Sequence, residues 1–358
     1  MCEQKARDKT LPETFVPCFH DEKEVRKMTY NPLGNTGLKV SKISLGTSGF
    51  SNFYGEHDVE ECKKVVYEAV RRGINLIDTA PWYGHGDSEK ILGTCLEGIP
   101  RKAYYLSTKC CRYEKDLALM FDFSAERTRK SIDESLTRLK LSYVDILQVH
   151  DIEFAPTLDM VLKETLPTVA EICKSGKARH VGITGYPLST LKECIEKSTV
   201  HIETVLTYCR SMMTDNTLDE YIDFFRSKNV GVVNGAIHGM ALLTNVGAPS
   251  WHPASDELKA VCREASEFCQ KENVELGKLA LYYSMQHGAG DTILVGTKSK
   301  MKLISYNLDV LHNGLSTKEQ EVYEQVLKIL KKLPPNSNWE DVEVERYRSK
   351  SLNLFDNQ

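Results

Sequence analysis

Four polar side chains stand where apolar runs end. INLID (74–78) closes in Asp78, and Tyr83 follows in the turn PWYGHG. STK (107–109) ends a second run in Lys109, and VDILQVH (144–150) ends a third in His150. A carboxylate at the end of a buried strand is costly without a cation, and Lys109 supplies one. A tyrosine of ordinary pKa ~10 is a poor acid at neutral pH. An ammonium beside it favours the phenolate and lowers that pKa. The expectation is a buried Asp78–Lys109 pair that tunes Tyr83, with His150 hydrogen-bonding the same substrate oxygen. Such a set exchanges a proton with a carbonyl or hydroxyl oxygen. Taken singly, the residues read differently: Asp78–Lys109 as a structural ion pair, Lys109 as a Schiff-base lysine, His150 as a core histidine. The four together favour acid–base chemistry.

The elements that must position these groups alternate along the chain. β-rich runs recur at 42–46, 75–80, 103–109, 144–150, 178–184, 204–209, 231–236 and 292–297. Amphipathic segments lie between them, including 58–73, 124–140 and 158–176. The second opens on a capping Ser124, and the first and third close on Gly73 and Gly176, as helix C′ positions favour. Nearly continuous apolar strands covered by helices predict a parallel sheet. Eight such units predict an α/β fold of the (β/α)8 TIM barrel type. Chemistry then sits at the C-terminal strand ends, where Asp78, Lys109 and His150 fall on neighbouring strands.

Ahead of the first barrel strand, YNPLGNTGLKVSK predicts a hairpin turning at Gly34-Asn35 and plugging the barrel floor. The interval 238–274 predicts a long loop and an extra helix over the mouth, and LSTKEQEVYEQVLKILKKL one more C-terminal helix. A doubly wound sheet is the competing fold. It needs a glycine fingerprint, and GHGDSE (84–89) places Glu89 where the third glycine belongs. The domain reading is a flexible extension over 1–28, one barrel domain over 29–335 and a polar tail over 336–358.

The 358 residues are 41% hydrophobic with a formal net charge of −4, an ordinary globular composition without the basic footprint of a nucleic-acid binder. No apolar run approaches the ~20 residues that span a bilayer. The first residues lack the apolar core of a secretory signal, so a cytoplasmic location is expected. The 11 cysteines are scattered, without a CxxC pair, and read as reduced thiols rather than disulfides or metal ligands. No heptad or repeat suggests assembly, and a monomer is expected.

The segments LGNTGLKVSKISLGT, GINLIDTAPWYGHGDSEKILG, STK, VDILQVH, KARHVGITGY and ILVGT resemble the aldo-keto reductase superfamily from about Tyr30 to Leu311. The stretch DFSAERTRKSIDESLTRLKLSYVDILQVHDIEF and the later WHPAS are similar to its L-galactose dehydrogenase-like branch. The resemblance implies that Asp78, Tyr83, Lys109 and His150 form a catalytic tetrad and that NAD(P)(H) exchanges the hydride. It implies oxidation of an aldose to a lactone, or, by the wider habit of the superfamily, reduction of aldehydes and ketones. Some relatives are instead channel-associated subunits that sense the cofactor, a reading that calls for a long N-terminal inactivation-like segment.

The matching cofactor positions are Gly46 and Thr47, Asp78, Thr184, Gly296, Thr297, Lys298, Lys302 and Asn307. Tyr208 is the candidate to stack on nicotinamide, because Asn234, Gly235 and Ala236 stand where many relatives place an aromatic residue. Lysines around 298–302 favour NADP over NAD, binding the extra phosphate as point charges. The substrate pocket is expected to draw on Trp82, Asp151, Glu153, His238, Trp251 and His252, whose carboxylates and aromatic rings suit a sugar.

Overall fold

A computed structural model describes residues 10–51, 55–297 and 300–355. β1 (Tyr30–Pro32) and β2 (Lys39–Ser41) form an antiparallel hairpin. Eight strands then close a barrel: β3 (Ile43–Gly46), β4 (Leu76–Asp78), β5 (Tyr105–Cys110), β6 (Ile146–Val149), β7 (His180–Gly185), β8 (Thr204–Tyr208), β9 (Gly231–Gly235) and β10 (Thr292–Gly296). Neighbouring strands are parallel throughout, and β10 pairs with both β9 and β3 to complete the ring. Each strand overlaps one of the eight runs marked in the sequence, with β5 and β7 each running one residue past the marked end.

Because strand side chains alternate, every second residue points into the barrel. Leu76, Tyr105, Ile146, Leu206, Val233 and Leu294 form an apolar cluster with Leu33, Leu38 and Val40 of the hairpin, so the hairpin closes the floor. One step up each strand the interior turns polar: Asp78 follows Leu76, Ser107 and Lys109 follow Tyr105, and Gln148 follows Ile146. Gly182 makes room for this layer, since a Cβ there would lie 2.8 Å from Gln148 Cγ.

Three expectations are corrected. Residues 10–28 do not form a flexible extension: Asp21 caps the helix Glu22–Lys27 by accepting from the Lys23 and Glu24 amides, and Val25 is buried. Thr14, also buried, accepts from Asn75 Nδ2. Nor is the segment after 335 merely a polar tail. Trp339 is buried, and Val342–Phe355 is a helix that brings Glu343 to the barrel mouth. Finally, among the described residues nine cysteines are free thiols, but Cys18 is disulfide-bonded. The interval 238–274 holds a long loop and the helix Asp256–Lys271, and Thr317–Leu330 is the further C-terminal helix; the loop residues His238, Met240 and Trp251 line the mouth, whereas Asp256–Lys271 packs on the helices Leu276–His287 and Thr317–Leu330. Among the described residues no helix is long and apolar enough to cross a membrane.

Candidate active site

Asp78 closes β4, and Lys109 lies near the end of β5, opposite Gln148 of β6 in the parallel register. Lys109 Nζ donates to Asp78 Oδ1 at 2.5 Å, to the Thr79 carbonyl at 2.8 Å and to the Tyr83 hydroxyl at 3.4 Å. Three acceptors match the three donors of an ammonium group. Asp78 Oδ2 accepts from Gln148 Nε2 at 3.0 Å, and the same amide donates to Ser107 Oγ at 2.6 Å. Asp78 is 2% exposed and Lys109 1%. A pair this deep persists because its remaining hydrogen-bonding capacity is met.

Tyr83 sits in the turn that follows β4, just ahead of the helix Asp87–Cys95, with Gly84 and Gly86 at positive φ. Its ring packs edge-on to the His150 ring at 6.1 Å between centroids. The His150 amide donates to the Cys110 carbonyl, fixing the residue one strand away from Lys109. His150 Nε2 lies 3.5 Å from Asp151 Oδ2, and its Nδ1 is buried without a hydrogen-bond partner among the described residues.

The electrostatics depart from expectation at one point. Burial raises the Tyr83 pKa, and Lys109 pulls it back only in part, so the phenol is a weaker acid than tyrosine in water rather than a stronger one. Burial alone would depress Lys109, but Asp78 and Tyr83 together more than offset this and the net direction is upward, so the ammonium stays charged. Burial lowers His150 to about 3 against the opposing pull of Asp151. The imidazole is therefore neutral at physiological pH, and can donate from one nitrogen and accept at the other.

These four groups share one wall of a cavity of about 400 Å3, within the ~300–1,000 Å3 usual for small-molecule sites. Gly46, Trp82, Asp151, Thr184, Tyr208, His238, Trp251 and Gly296 also line it. The Thr184 hydroxyl exchanges hydrogen bonds with Asp151, whose amide donates to it, and Tyr208 donates to Glu343 Oε2 at 3.3 Å. His238 Nε2 is held by the Gly277 carbonyl at 3.0 Å.

Other expected residues lie elsewhere. Thr47 is buried behind the wall, its amide and hydroxyl both donating to the Asp78 carbonyl, so its side chain holds a strand end rather than a ligand. His252 is buried with Nε2 on the Gly239 carbonyl. Glu153 lies outside this cavity and accepts from the Tyr186 amide. Lys302 is exposed and Asn307 buried on the helix Met301–Asn313, while Lys298 falls outside the described residues.

Three lining or supporting residues were missed. Gln148 stands in the quoted motif VDILQVH, two places before His150 and hence on the same face. Arg112 follows STKCC; it pairs with Asp151 Oδ2 at 2.6 Å and lies 4.2 Å from the Trp82 ring centroid. Glu343 carries no sequence signal, because its place follows from the docking of nearby Trp339 on distant Tyr186.

The model of the aldo/keto reductase family matches residues 42–328. The chain is 40% identical over 316 residues to L-galactose dehydrogenase of Arabidopsis thaliana, covering 87% of this chain and 97% of that one. The chain belongs to the aldo/keto reductase family. It is 29% identical over 319 residues to D-arabinose 1-dehydrogenase of Saccharomyces cerevisiae, covering 84% and 93% of the two chains. An aldo-keto reductase from Bacillus halodurans, AKR11C1 in its holo form, shares the fold at a TM-score of 0.65 and 23% identity over 84% of this chain and 96% of that one.

The protein is accordingly an NAD(P)-dependent oxidoreductase of this family, and its cavity fits the coenzyme. Gly46, Gly235 and Gly296 leave bare backbone on the wall. Thr297, next to Gly296, buries a hydroxyl that has no partner among the described residues. Ala236, Met240 and Ala241 hold positive φ in the loop beyond β9, and strained backbone of that kind concentrates at binding sites.

Proposed function

We propose that this aldo/keto reductase oxidises a neutral aldose at its anomeric hydroxyl to the lactone, with L-galactose as the first substrate to try. The observation that carries the reading is the contact of Lys109 Nζ with both Asp78 and the Tyr83 hydroxyl. Tyr83 accepts the hydroxyl proton as the anomeric C–H is oxidised. Lys109 stabilises the charge distribution in which the phenol oxygen is negative, and Asp78 and Gln148 keep Lys109 in place. Neutral His150 hydrogen-bonds the reacting oxygen and orients it. The bound nicotinamide coenzyme supplies the hydride acceptor, and the lysines near 298–302 favour NADP.

The raised Tyr83 pKa supports a second reading, the reduction of aldehydes and ketones, since a phenol protonated at neutral pH is ready to donate. Absorbance at the reduced-nicotinamide band distinguishes the two. L-galactose, L-fucose and D-arabinose are offered with NAD or NADP for oxidation, and simple aldehydes with the reduced coenzymes. Sugar-dependent reduction of coenzyme supports the first reading, and turnover of aldehydes alone overturns it. In either direction Tyr83→Phe is expected to lower turnover by ~10²–10⁴-fold, the usual contribution of acid–base catalysis, with coenzyme affinity unchanged.

A further inference from the structure

The segment after residue 333 crosses the top of the barrel and is pinned at several points. The Trp339 indole stacks on Tyr186 at 5.5 Å, and its amide donates to the Tyr186 hydroxyl at 3.1 Å. Arg210 Nη2 meets Glu340 Oε2 at 2.8 Å. The Asn216 amide donates to Asn336 Oδ1 at 3.0 Å, and Arg348 Nη2 donates to the Glu153 carbonyl at 3.3 Å. So anchored, the segment places Glu343 on the cavity wall that Tyr83 and His150 also line.

Charged groups on that wall pair unevenly. Lys109 balances Asp78, and Arg112 balances Asp151. Both cations are thereby engaged, and His150 is neutral. Glu343 is the remaining carboxyl group: the Tyr208 hydroxyl donates to it, burial raises its pKa against the opposing pull of Arg112, and among the described residues no cation lies within ion-pair distance of it. We propose that Glu343 is a specificity-determining residue that restricts this site to uncharged, hydroxyl-rich substrates and rejects sugar acids and sugar phosphates. The inference rests on the sugar-oxidising reading above.

The chemistry suits a polyol. Sugar hydroxyls can donate to the Glu343 and Asp151 carboxylates. They can accept from Arg112, whose Nε is buried without a partner. A substrate carboxylate or phosphate meets only cations whose charge Asp78 and Asp151 already balance, and it faces Glu343. Like charges brought together in a partly buried site are strongly selected against, and such repulsive elements are how binding sites commonly discriminate.

The test compares wild type, Glu343→Gln and Glu343→Lys on L-galactose oxidation. It also compares reduction of D-glyceraldehyde with that of D-glyceraldehyde 3-phosphate, which differ by one phosphate. Wild type is expected to favour the uncharged aldehyde by at least ~100-fold in kcat/KM. Glu343→Gln is expected to cut that preference about tenfold and Glu343→Lys more, while KM for L-galactose rises several-fold and coenzyme affinity holds. A segment that had merely come loose would slow both aldehydes alike. An unchanged ratio in both variants therefore overturns the proposal. If wild type leaves L-galactose untouched but the aldehyde ratio moves with the charge at 343, the sugar reading fails and the role of Glu343 stands.

Discussion

Replacing Lys109 by methionine keeps most of its volume and removes its charge. Nζ lies 3.4 Å from the Tyr83 oxygen. At an effective dielectric of about 20, two unit charges at that separation interact by about 5 kcal/mol. A phenol oxygen that has developed about half a charge in the transition state forfeits about half of that, ~2.5 kcal/mol, or roughly 70-fold in rate. The unbalanced Asp78 carboxylate adds to the loss. Because the substitution leaves the reaction's equilibrium constant unchanged, kcat/KM must fall together in oxidation and reduction. The assay is initial-rate absorbance of the reduced coenzyme in both directions, with coenzyme affinity measured alongside as a check on the fold. Stranding a buried charge costs ~3–5 kcal/mol of stability, so the rates are taken well below the variant's melting temperature. A loss of less than about fivefold in a folded, coenzyme-binding variant would refute the electrostatic role given to Lys109.

Oxidation requires the Tyr83 phenolate, so its kcat/KM should rise with pH across the neutral and mildly alkaline range, below the raised phenol pKa, and show no inflection near 6.5 from His150; rate profiles read both. His150 folds neutral with a pKa of about 3, whereas an unfolded histidine titrates near 6.5. The unfolded chain therefore binds the extra proton between those values, and stability falls by up to ~1.4 kcal/mol per unit as pH drops through that window. Urea unfolding of wild type and His150→Gln at pH 6.5 and 4.5 measures that slope, which should shrink in the variant. Gln148→Leu leaves Asp78 Oδ2 without its donor and should cost ~1–3 kcal/mol, read as a lower urea midpoint. Gly93→Ala should cost ~1–3 kcal/mol by overpacking, because its Cβ would meet the Arg138 carbonyl oxygen at 2.4 Å; thermal unfolding checks it.

The barrel was legible because its strands are short apolar runs between amphipathic segments with capped ends. The groups at the strand ends were legible for a different reason: a charge closing a buried run demands a partner, which led from Asp78 to Lys109. What escaped was set by distance along the chain. Glu343 belongs to a polar stretch with no periodic signal, and its place follows from Trp339 docking on Tyr186, 153 residues away. Residues 21–28 were misread although Asp21 and Glu24 form a plausible helix start, because the arginine that Glu24 pairs with, Arg72, lies 48 residues away. The direction of the Tyr83 pKa was missed because the lysine beside the phenol is visible in the sequence, whereas the depth at which both are buried is not.

The crossing of the barrel by the last described helix also governs when the site comes into being. All eight strands are synthesised before residue 297, so the barrel can close around Asp78 and Lys109 while the rest of the chain is still emerging from the ribosome. The mouth is finished only when Trp339 and Glu343 arrive. A nascent barrel can thus hold its proton-transfer groups in position before Glu343 joins the wall around them. A fusion joined after Phe355 would start one helix away from the substrate entrance, so its placement is itself an experimental variable.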